Sequence, residues 1–345
     1  MAKTQHKKRL KSFVLLSTFR TFAPKIERTM EQKKDLQLFR MRSSRSAIAD
    51  GFRLYMGHFR SLLRSSWIAA VVYALVFSAM SKAMINLSPA ISVGLLLHQD
   101  PKTIGAQNSL HVWAMVASGL IYILVTAALT AYGFSAMSEH QQQGTISKPK
   151  HWYGQCNWPL VGRSLLLMVC LGLLFIGFEL LAGLATFAAF KWLGVMAGIA
   201  TLCLCLLLIG AFSLPLLYTS YIYMLTPKTH FFPTLVKTYG TGLRHWGSLF
   251  VVMLITTIVT LLLSFIIQLP AIILTMANTQ SQTGALMGDP AGMPSYMGWL
   301  TVVVLCIAGF VLAYVVLPTM FPLYYLYGSI KTKEDERQQL NKTTI

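Results

Sequence analysis

The chain reads LTVVVLCIAGFVLAYVVLPTMFPLYYLY at residues 300–327, and this stretch decides how the protein folds. It contains no charged side chain, and it lacks the polar face that a helix on the surface of a soluble protein shows. About 20 consecutive, mostly apolar residues suffice for a helix to cross a hydrocarbon layer of about 30 Å. The stretch is therefore predicted to be a membrane-spanning helix that ends in a cluster of proline and tyrosine.

Five earlier stretches meet the same criterion, so the sequence predicts six spans. Hydrophobic residues make up 55% of the chain and charged residues only 12%, where about 25% charged is usual for a soluble domain. We expect an all-α fold: a polytopic membrane helical bundle of three hairpin-like units, with interfacial amphipathic helices on the cytoplasmic side. The predicted spans are 66–85, 110–134, 165–188, 193–224, 248–274 and 299–327.

The distribution of charge predicts the orientation of these spans. Sixteen of the 29 Lys and Arg residues precede residue 65, and the other basic clusters follow the even-numbered spans. Because loops rich in Lys and Arg stay on the cytoplasmic side, both termini are predicted to be cytoplasmic. The expected location is the inner (cytoplasmic) membrane of a bacterium, and the net charge of +18 then points to anionic lipid headgroups and not to nucleic acid.

The chain divides into four predicted parts. Residues 1–45 form a basic, loosely ordered terminus, within which Met30 and Met41 are alternative start positions to Met1. Residues 46–64 form an interfacial amphipathic helix, 65–328 the six-span domain, and 329–345 a cytoplasmic tail.

Two segments show the helical spacing of an amphipathic surface helix. At 100° per residue, Ile48, Tyr55 and Phe59 fall on one face of residues 46–64, and arginines gather opposite them. A similar segment precedes the fifth span. Helices of this kind lie at the membrane surface with their basic residues at the headgroups. The residues predicted to contact headgroups are Arg53, Arg60, Arg64, Lys237 and Arg244.

Proline followed by tyrosine ends the fourth and the sixth span, in LPLLYTSYIY at 214–223 and in LPTMFPLYYLY at 317–327. Tyr221 and Tyr324 occupy equivalent positions and are predicted to anchor the helix ends at the membrane surface, because tyrosine has an apolar ring and a hydroxyl that seeks water. Proline loosens a helix by removing a backbone hydrogen bond, so these residues either bend the chain or act as gating hinges. The hinge candidates are Pro215, Pro270, Pro318 and Pro322. Whether the three hairpins arose by duplication stays open.

Glu179 is the only acidic residue well inside a predicted span, and a lone charge there is costly. Lys82 lies at about the same depth, and Gln268 lies slightly nearer the outer surface. These three residues form the candidate intramembrane polar site. An ion pair that fixes helix packing, a transport or proton-relay site, and separate environments for the two charges all remain open at this point.

Small residues in two spans indicate close helix contacts. Gly194 and Gly198 form a GxxxG pattern, and Gly309 with Ala313 forms a related pair. Small residues at this spacing let helix backbones approach each other in a membrane. We expect them to serve packing.

The sequence contains no HExxH, GxSxG or CxxC motif and no glycine-rich phosphate loop. We therefore predict no catalytic residue, no metal ligand and no cofactor. The cysteines lie in or beside the spans, where no disulfide is expected.

The bases and tryptophan before odd spans (RSSW, RHWGS) and the exit YYLYGSIKTKEDE resemble a loosely bounded group of bacterial six-span integral membrane proteins without an assigned activity. The resemblance implies the fold and carries over no functional residue. The leading functional prediction is a non-enzymatic membrane protein that organises, assembles or supports other components, with lipid, other membrane proteins or further copies of itself as partners. A small permease that uses Glu179, Lys82 and Gln268 is the alternative, and a lipid-modifying enzyme is the third candidate.

Overall fold

The structure, a computed structural model, describes residues 37–96, 98, 102, 103, 106, 108–146, 157–227, 229–288, 294 and 296–343. Within these residues the chain is almost entirely helical and contains no strand. Most of the predicted basic terminus, residues 1–36, lies outside the described part, as do the alternative starts Met1 and Met30.

A 3₁₀ turn at Leu317–Thr319 separates the last two helices. The helices are α1 (Ser44–Leu96), α2 (Ser109–Gln143), α3 (Trp158–Leu193), α4 (Val195–Leu225), α5 (Phe231–Arg244), α6 (Trp246–Leu286), α7 (Tyr296–Val316) and α8 (Met320–Thr343).

Six helical stretches are long and apolar enough to cross a membrane: one each in α1, α2, α3, α4 and α6, and one in α7 continued into α8. The prediction of an all-α, six-span membrane protein is confirmed. Successive spans pack as antiparallel neighbours, α1 with α2, α3 with α4, and α6 with α7. In addition, α1 packs along α6, α7 and α8, so the first and third hairpins form one four-helix unit.

Helix α1 is longer than the predicted first span. It runs without interruption over 53 residues, which corresponds to about 80 Å at 1.5 Å per residue. The predicted surface helix at 46–64 and the predicted span at 66–85 are therefore one helix. Its apolar face lies where the sequence placed it, with Tyr55 and Leu62 buried. This face packs on protein, since the ring of Tyr55 lies 5.4 Å from that of Phe321.

The main core of the protein lies at one end of the bundle. We call this the core end; α1 begins there, α2 and α4 end there, and α3, α6 and α8 begin there. All ten residues from 321 to 330, in the first turns of α8, are buried. A helix that is apolar on all sides is expected to be surrounded by protein or lipid, and this one is surrounded by protein from α1, α2, α4 and the segment before α1.

The tyrosines at the core end are buried and do not reach toward water. Tyr221 and Tyr324 are 5% and 0% exposed, so the prediction that they anchor helix ends at the membrane surface is wrong. Their hydroxyls are satisfied inside the protein, where Tyr221 donates to the carbonyl of Met320 at 2.7 Å and Tyr324 to that of Met137 at 3.0 Å. The apolar rings can therefore be buried without leaving a polar atom unpaired.

The segment before α1 belongs to the same core. Leu38 and Arg42 are buried, although the sequence assigned residues 37–45 to a loosely ordered terminus. The guanidinium of Arg42 forms an ion pair with Asp50 at 2.9 Å and lies 4.7 Å above the ring of Tyr325. Ser329 closes the arrangement, because its hydroxyl accepts from the backbone N–H of Arg42 and donates to its carbonyl.

Two glycines allow helices to touch. A Cβ on Gly51 would lie 2.4 Å from the backbone nitrogen of Pro322, and a Cβ on Gly309 would lie 2.9 Å from the ring of Phe77. Gly51 thus brings α1 onto α8, and Gly309 brings α7 onto α1. The small residues of α7 have the packing role that the sequence predicted.

The α3–α4 hairpin projects away from the other helices at the opposite end of the bundle, which we call the far end. Nine of the ten residues from 176 to 185 are exposed. The turn itself is Gly194, whose φ of 89° with ψ of 178° is accessible to glycine. Beside it, the ring of Phe190 occupies the place where Gly198 has no side chain. At the far end the two helices therefore pack on each other.

Candidate functional site

The structure separates the predicted intramembrane charges. Glu179 is exposed on α3, in the part of the hairpin that projects from the bundle, and Lys82 is half-buried on α1. The two side chains form no ion pair. Because the two residues have similar depths in the membrane, an ion pair between them was possible. However, α1 and α3 do not pack side by side at this depth.

Gln268 lies in a different setting, on the wall of a cavity of about 660 Å³ in the far half of the bundle. Helices α1, α2, α6 and α7 line this cavity. The lining is mostly apolar, with four methionines, and its polar side chains are Ser81, Ser88, Gln268, Thr275 and Thr279. Neither Lys82 nor Glu179 lines it, so only one residue of the predicted polar site lies on the wall of this cavity.

A small amide cluster lies one turn beyond this cavity along α6. The amide nitrogen of Gln282 donates to the side-chain oxygens of Asn86 at 3.1 Å and Asn278 at 3.2 Å. The side-chain nitrogen of Asn278 is buried and makes no hydrogen bond. The cluster joins α1 to α6 at the far end, as interhelical polar bonds do in membranes.

Two of the candidate hinge prolines have their freed carbonyls bound by a neighbouring helix. A proline cannot donate to the carbonyl four residues earlier. For Pro215 that carbonyl belongs to Ala211, and the indole of Trp246 donates to it at 3.0 Å. For Pro318 it belongs to Tyr314, and the hydroxyl of Tyr55 donates to it at 2.7 Å.

In both cases a donor from another helix replaces the hydrogen bond that the proline removes. Helix α4 continues past Pro215, whereas the chain takes one 3₁₀ turn at Pro318 before α8 begins. Pro322 lies in the first turn of α8 against Gly51, and Pro270 lies within α6. The contacts fit bends of fixed geometry, and whether any of the four prolines acts as a hinge stays a prediction.

The predicted amphipathic helix before the fifth span is present as α5. Its buried side is Phe231, Thr234 and Gly242, and it lies on the end of α4. A Cβ on Gly242 would come within 2.9 Å of the Cα of Pro215, so this glycine permits the contact. The apolar side of α5 is only partly covered, because Leu243 is exposed.

Two apolar grooves flank α4. One, of about 790 Å³, lies between α3, α4 and the first turns of α6, where Trp246 and Phe250 form part of its wall. The other, of about 350 Å³, lies between α3, α4 and α5. Its lining residues are Leu174, Phe178, Phe212, Leu216, Leu235, Val236, Tyr239 and Gly240.

All five residues predicted to contact lipid headgroups are exposed at the core end: Arg53, Arg60, Arg64, Lys237 and Arg244. Arg244 also binds both carboxylate oxygens of Glu334, at 3.0 and 3.1 Å, and His245 lies 3.1 Å from one of them. This cluster ties the start of α6 to α8.

Arg163 has a structural role that the sequence did not reveal. Its guanidinium donates to the carbonyls of Tyr223 and Thr226 and to the hydroxyl of Thr229. A cation at the C-terminus of a helix satisfies unpaired carbonyls and interacts favourably with the helix dipole. The sequence gives one indication of this role. Arg163 lies five residues after the start of α3, at the end of the bundle where α4 ends.

Groups of three or more His, Cys, Asp or Glu residues with the spacing of a metal site do not occur among the described residues. His140 is a buried residue of α2 that contacts α8. Its Nδ1 lies 3.1 Å from the hydroxyl of Tyr324, and its Nε2 makes no hydrogen bond. Burial of Tyr239 on α5 raises the pKa of its hydroxyl.

Comparison of the chain with protein-family models, curated proteins and solved structures found no match. The fold defines the protein as a six-span, all-helical membrane protein.

Proposed function

We propose that this protein is a non-enzymatic scaffold of the bacterial inner membrane, which presents the α3–α4 hairpin to other membrane components. The observation that carries the proposal is the contrast between the packed core end and the projecting hairpin. The other four spans pack together, and the core end fixes the angle at which the hairpin leaves them. A hairpin held in this way offers apolar surface on both sides to lipid or to partner helices.

The proposed orientation has both termini and the core end in the cytoplasm. Exposed basic residues at the core end then face the anionic headgroups of the inner leaflet, to which each well-placed Lys or Arg contributes about 1 kcal/mol. Reporter enzymes that are active on only one side test this, fused after Gly194 or Gly284 and after Lys237. We expect the first two on the outer side and the third inside; the same side for all three would contradict the orientation.

Site-specific photocrosslinking in cells tests the scaffold role. A photoreactive amino acid at Leu184 or Phe187, both exposed on the hairpin, should give a discrete protein adduct, either with a partner or with a second copy. The matched controls are Ile266 on α6 and Val303 on α7, which are also exposed and apolar. The proposal is lost if no hairpin position gives a protein adduct or if the controls give the same one.

A small permease is the second candidate, and the cavity that contains Gln268 favours it. Membrane transport sites place polar groups on cavity walls inside the bundle, as Gln268, Ser81 and Thr275 are placed. In reconstituted vesicles Gln268→Leu should abolish solute flux if this function holds. A flux that depends on Gln268, together with absent hairpin adducts, would favour the permease over the scaffold.

A further inference from the structure

The smaller groove beside α4 has the features of a lipid site. Its walls are the apolar side chains of α3 and α4, and its floor is α5, an amphipathic helix at the core end. An open apolar groove next to a membrane surface suits a hydrocarbon chain, since every methylene group buried there leaves water or loosely packed lipid.

Hydrogen bonds fix the floor of the groove in place. The hydroxyl of Tyr239 donates to the carbonyl of Phe212 at 3.1 Å, and the hydroxyls of Thr238 and Thr219 are 3.0 Å apart. The rings of Phe231 and Tyr223 add an edge-to-face contact at 5.7 Å. Helix α5 is therefore attached to α4 along its length, and the groove exists before a ligand arrives.

A positive charge lies on the helix that forms the floor of the groove. Lys237 follows Val236, which lines the groove, and both side chains are exposed. Phe232 and Val236 are exposed apolar residues on the same helix, so α5 presents an apolar surface with a lysine at its edge, as helices at the headgroup level do. Arg244 is engaged by Glu334, whereas Lys237 forms no ion pair with another described residue.

We propose that this groove binds one acyl chain of an anionic phospholipid of the cytoplasmic leaflet, whose phosphate lies beside Lys237. The inference deepens the proposed membrane scaffold and rests on its orientation. The lipid fills the angle between the hairpin and α5. Charge complementarity selects an anionic headgroup over a zwitterionic one.

Gly240 makes a direct test available. It lines the groove, and a Cβ at this position would meet no atom within 4 Å. The substitution Gly240→Leu therefore fills the groove without straining the protein, and a helix tolerates leucine better than glycine. Lys237→Gln removes only the charge. Gly57→Leu, at an exposed position of α1, and Lys333→Gln, at an exposed position of α8, are the matched controls.

The experiment is native mass spectrometry of the purified full chain with phosphatidylglycerol and phosphatidylcholine of equal chain length. The wild type should retain one tightly bound phosphatidylglycerol. Lys237→Gln should weaken phosphatidylglycerol binding about five-fold and leave phosphatidylcholine unchanged, as the removal of one lysine at a lipid surface predicts. Gly240→Leu should abolish the tight site for both lipids, and the two controls should bind as the wild type does.

The proposal would be overturned if Gly240→Leu bound phosphatidylglycerol as tightly as the wild type does. It would also be overturned if the control variants lost as much lipid binding as the test variants. Circular dichroism of every variant verifies the fold, and Lys237→Gln, at an exposed position, keeps the test valid even if the leucine variant unfolds. The lipid site and the scaffold role fail separately. A loss of lipid binding would not change the photocrosslinking result at Phe187. An absence of photocrosslinked adducts would not change the lipid-binding result.

Discussion

The start of α8 and the middle of α3 are both rich in apolar side chains but have opposite surroundings. Residues 321–330 are buried on every side by protein, whereas residues 176–185 meet almost none. Apolar composition alone gives no association between helices in lipid, because the surrounding chains are as apolar as leucine. At the core end, glycine contacts and hydrogen bonds from tyrosine to backbone carbonyls supply the association instead.

The comparison implies that the stability of the protein resides at its core end and that the hairpin adds little. The core end also joins α1, α2, α4, α6 and α8 through side chains far apart in the sequence, such as Arg42 with Ser329. Substitutions of similar size should therefore have very different effects in the two regions.

The largest effect is expected for Tyr324→Ala at the core end. The side chain is completely buried, and it bonds to Met137 and His140. Truncating a buried aromatic ring removes contacts and leaves a cavity, at a cost of about 3 to 5 kcal/mol. The measurement is the free energy of unfolding of the purified protein, followed by circular dichroism.

Phe187→Ala on the hairpin is the matched control, because it also truncates an aromatic ring but in a mostly exposed side chain. It should change the free energy of unfolding by less than about 0.5 kcal/mol, as exposed substitutions usually do. Equal losses for the two variants would refute the division of stability between core end and hairpin.

Gly51→Ala should have the next largest effect. The added methyl group would lie 2.4 Å from the nitrogen of Pro322, and the backbone there cannot rotate away. Overpacking of this kind costs about 1 to 3 kcal/mol. Gly57→Ala, two turns later on the same helix and with open space around it, should be neutral or slightly stabilising, because alanine is the better helix former. Thermal unfolding of both variants provides the measurement, and a similar loss in each would show that helix propensity and not contact with α8 decides.

Sequence reasoning identified the class of fold and the number of spans, because the length of an apolar stretch follows from the thickness of a bilayer. It also identified the packing role of Gly309, since small residues mark close helix contacts. These features are local, and each depends on residues within a single helix.

The sequence left open which helices are neighbours. Lys82 and Glu179 have similar depths, but depth does not determine lateral position, and α3 leaves the bundle where Glu179 lies. The role of Tyr324 was misjudged because tyrosine is common at membrane surfaces. A signal was present, however: residues 321–330 have no polar face, whereas an interfacial helix should have one.

The smallest effect is expected for the coupling between Pro318 and the hydrogen bond from Tyr55 to the carbonyl of Tyr314. Tyr55→Phe leaves that carbonyl without its donor, because Pro318 cannot supply one, and an unsatisfied buried group costs about 1 to 3 kcal/mol. Pro318→Ala restores an N–H at the position from which a regular helix would bond this carbonyl. In the Pro318→Ala background Tyr55→Phe should therefore cost less, with a coupling energy of about 0.5 to 1.5 kcal/mol in a double-mutant cycle.

Tyr73→Phe is the control for this cycle, since its hydroxyl bonds to Tyr122 and lies about 27 Å further along α1 at 1.5 Å per residue. Its effect should add to that of Pro318→Ala, as effects of distant sites do. If Tyr55→Phe and Pro318→Ala also add, the tyrosine does not compensate for the proline, and the fixed bend at the core end loses its explanation. If only this pair is coupled, the bend that turns the last span into the core is held by a side chain from the first helix.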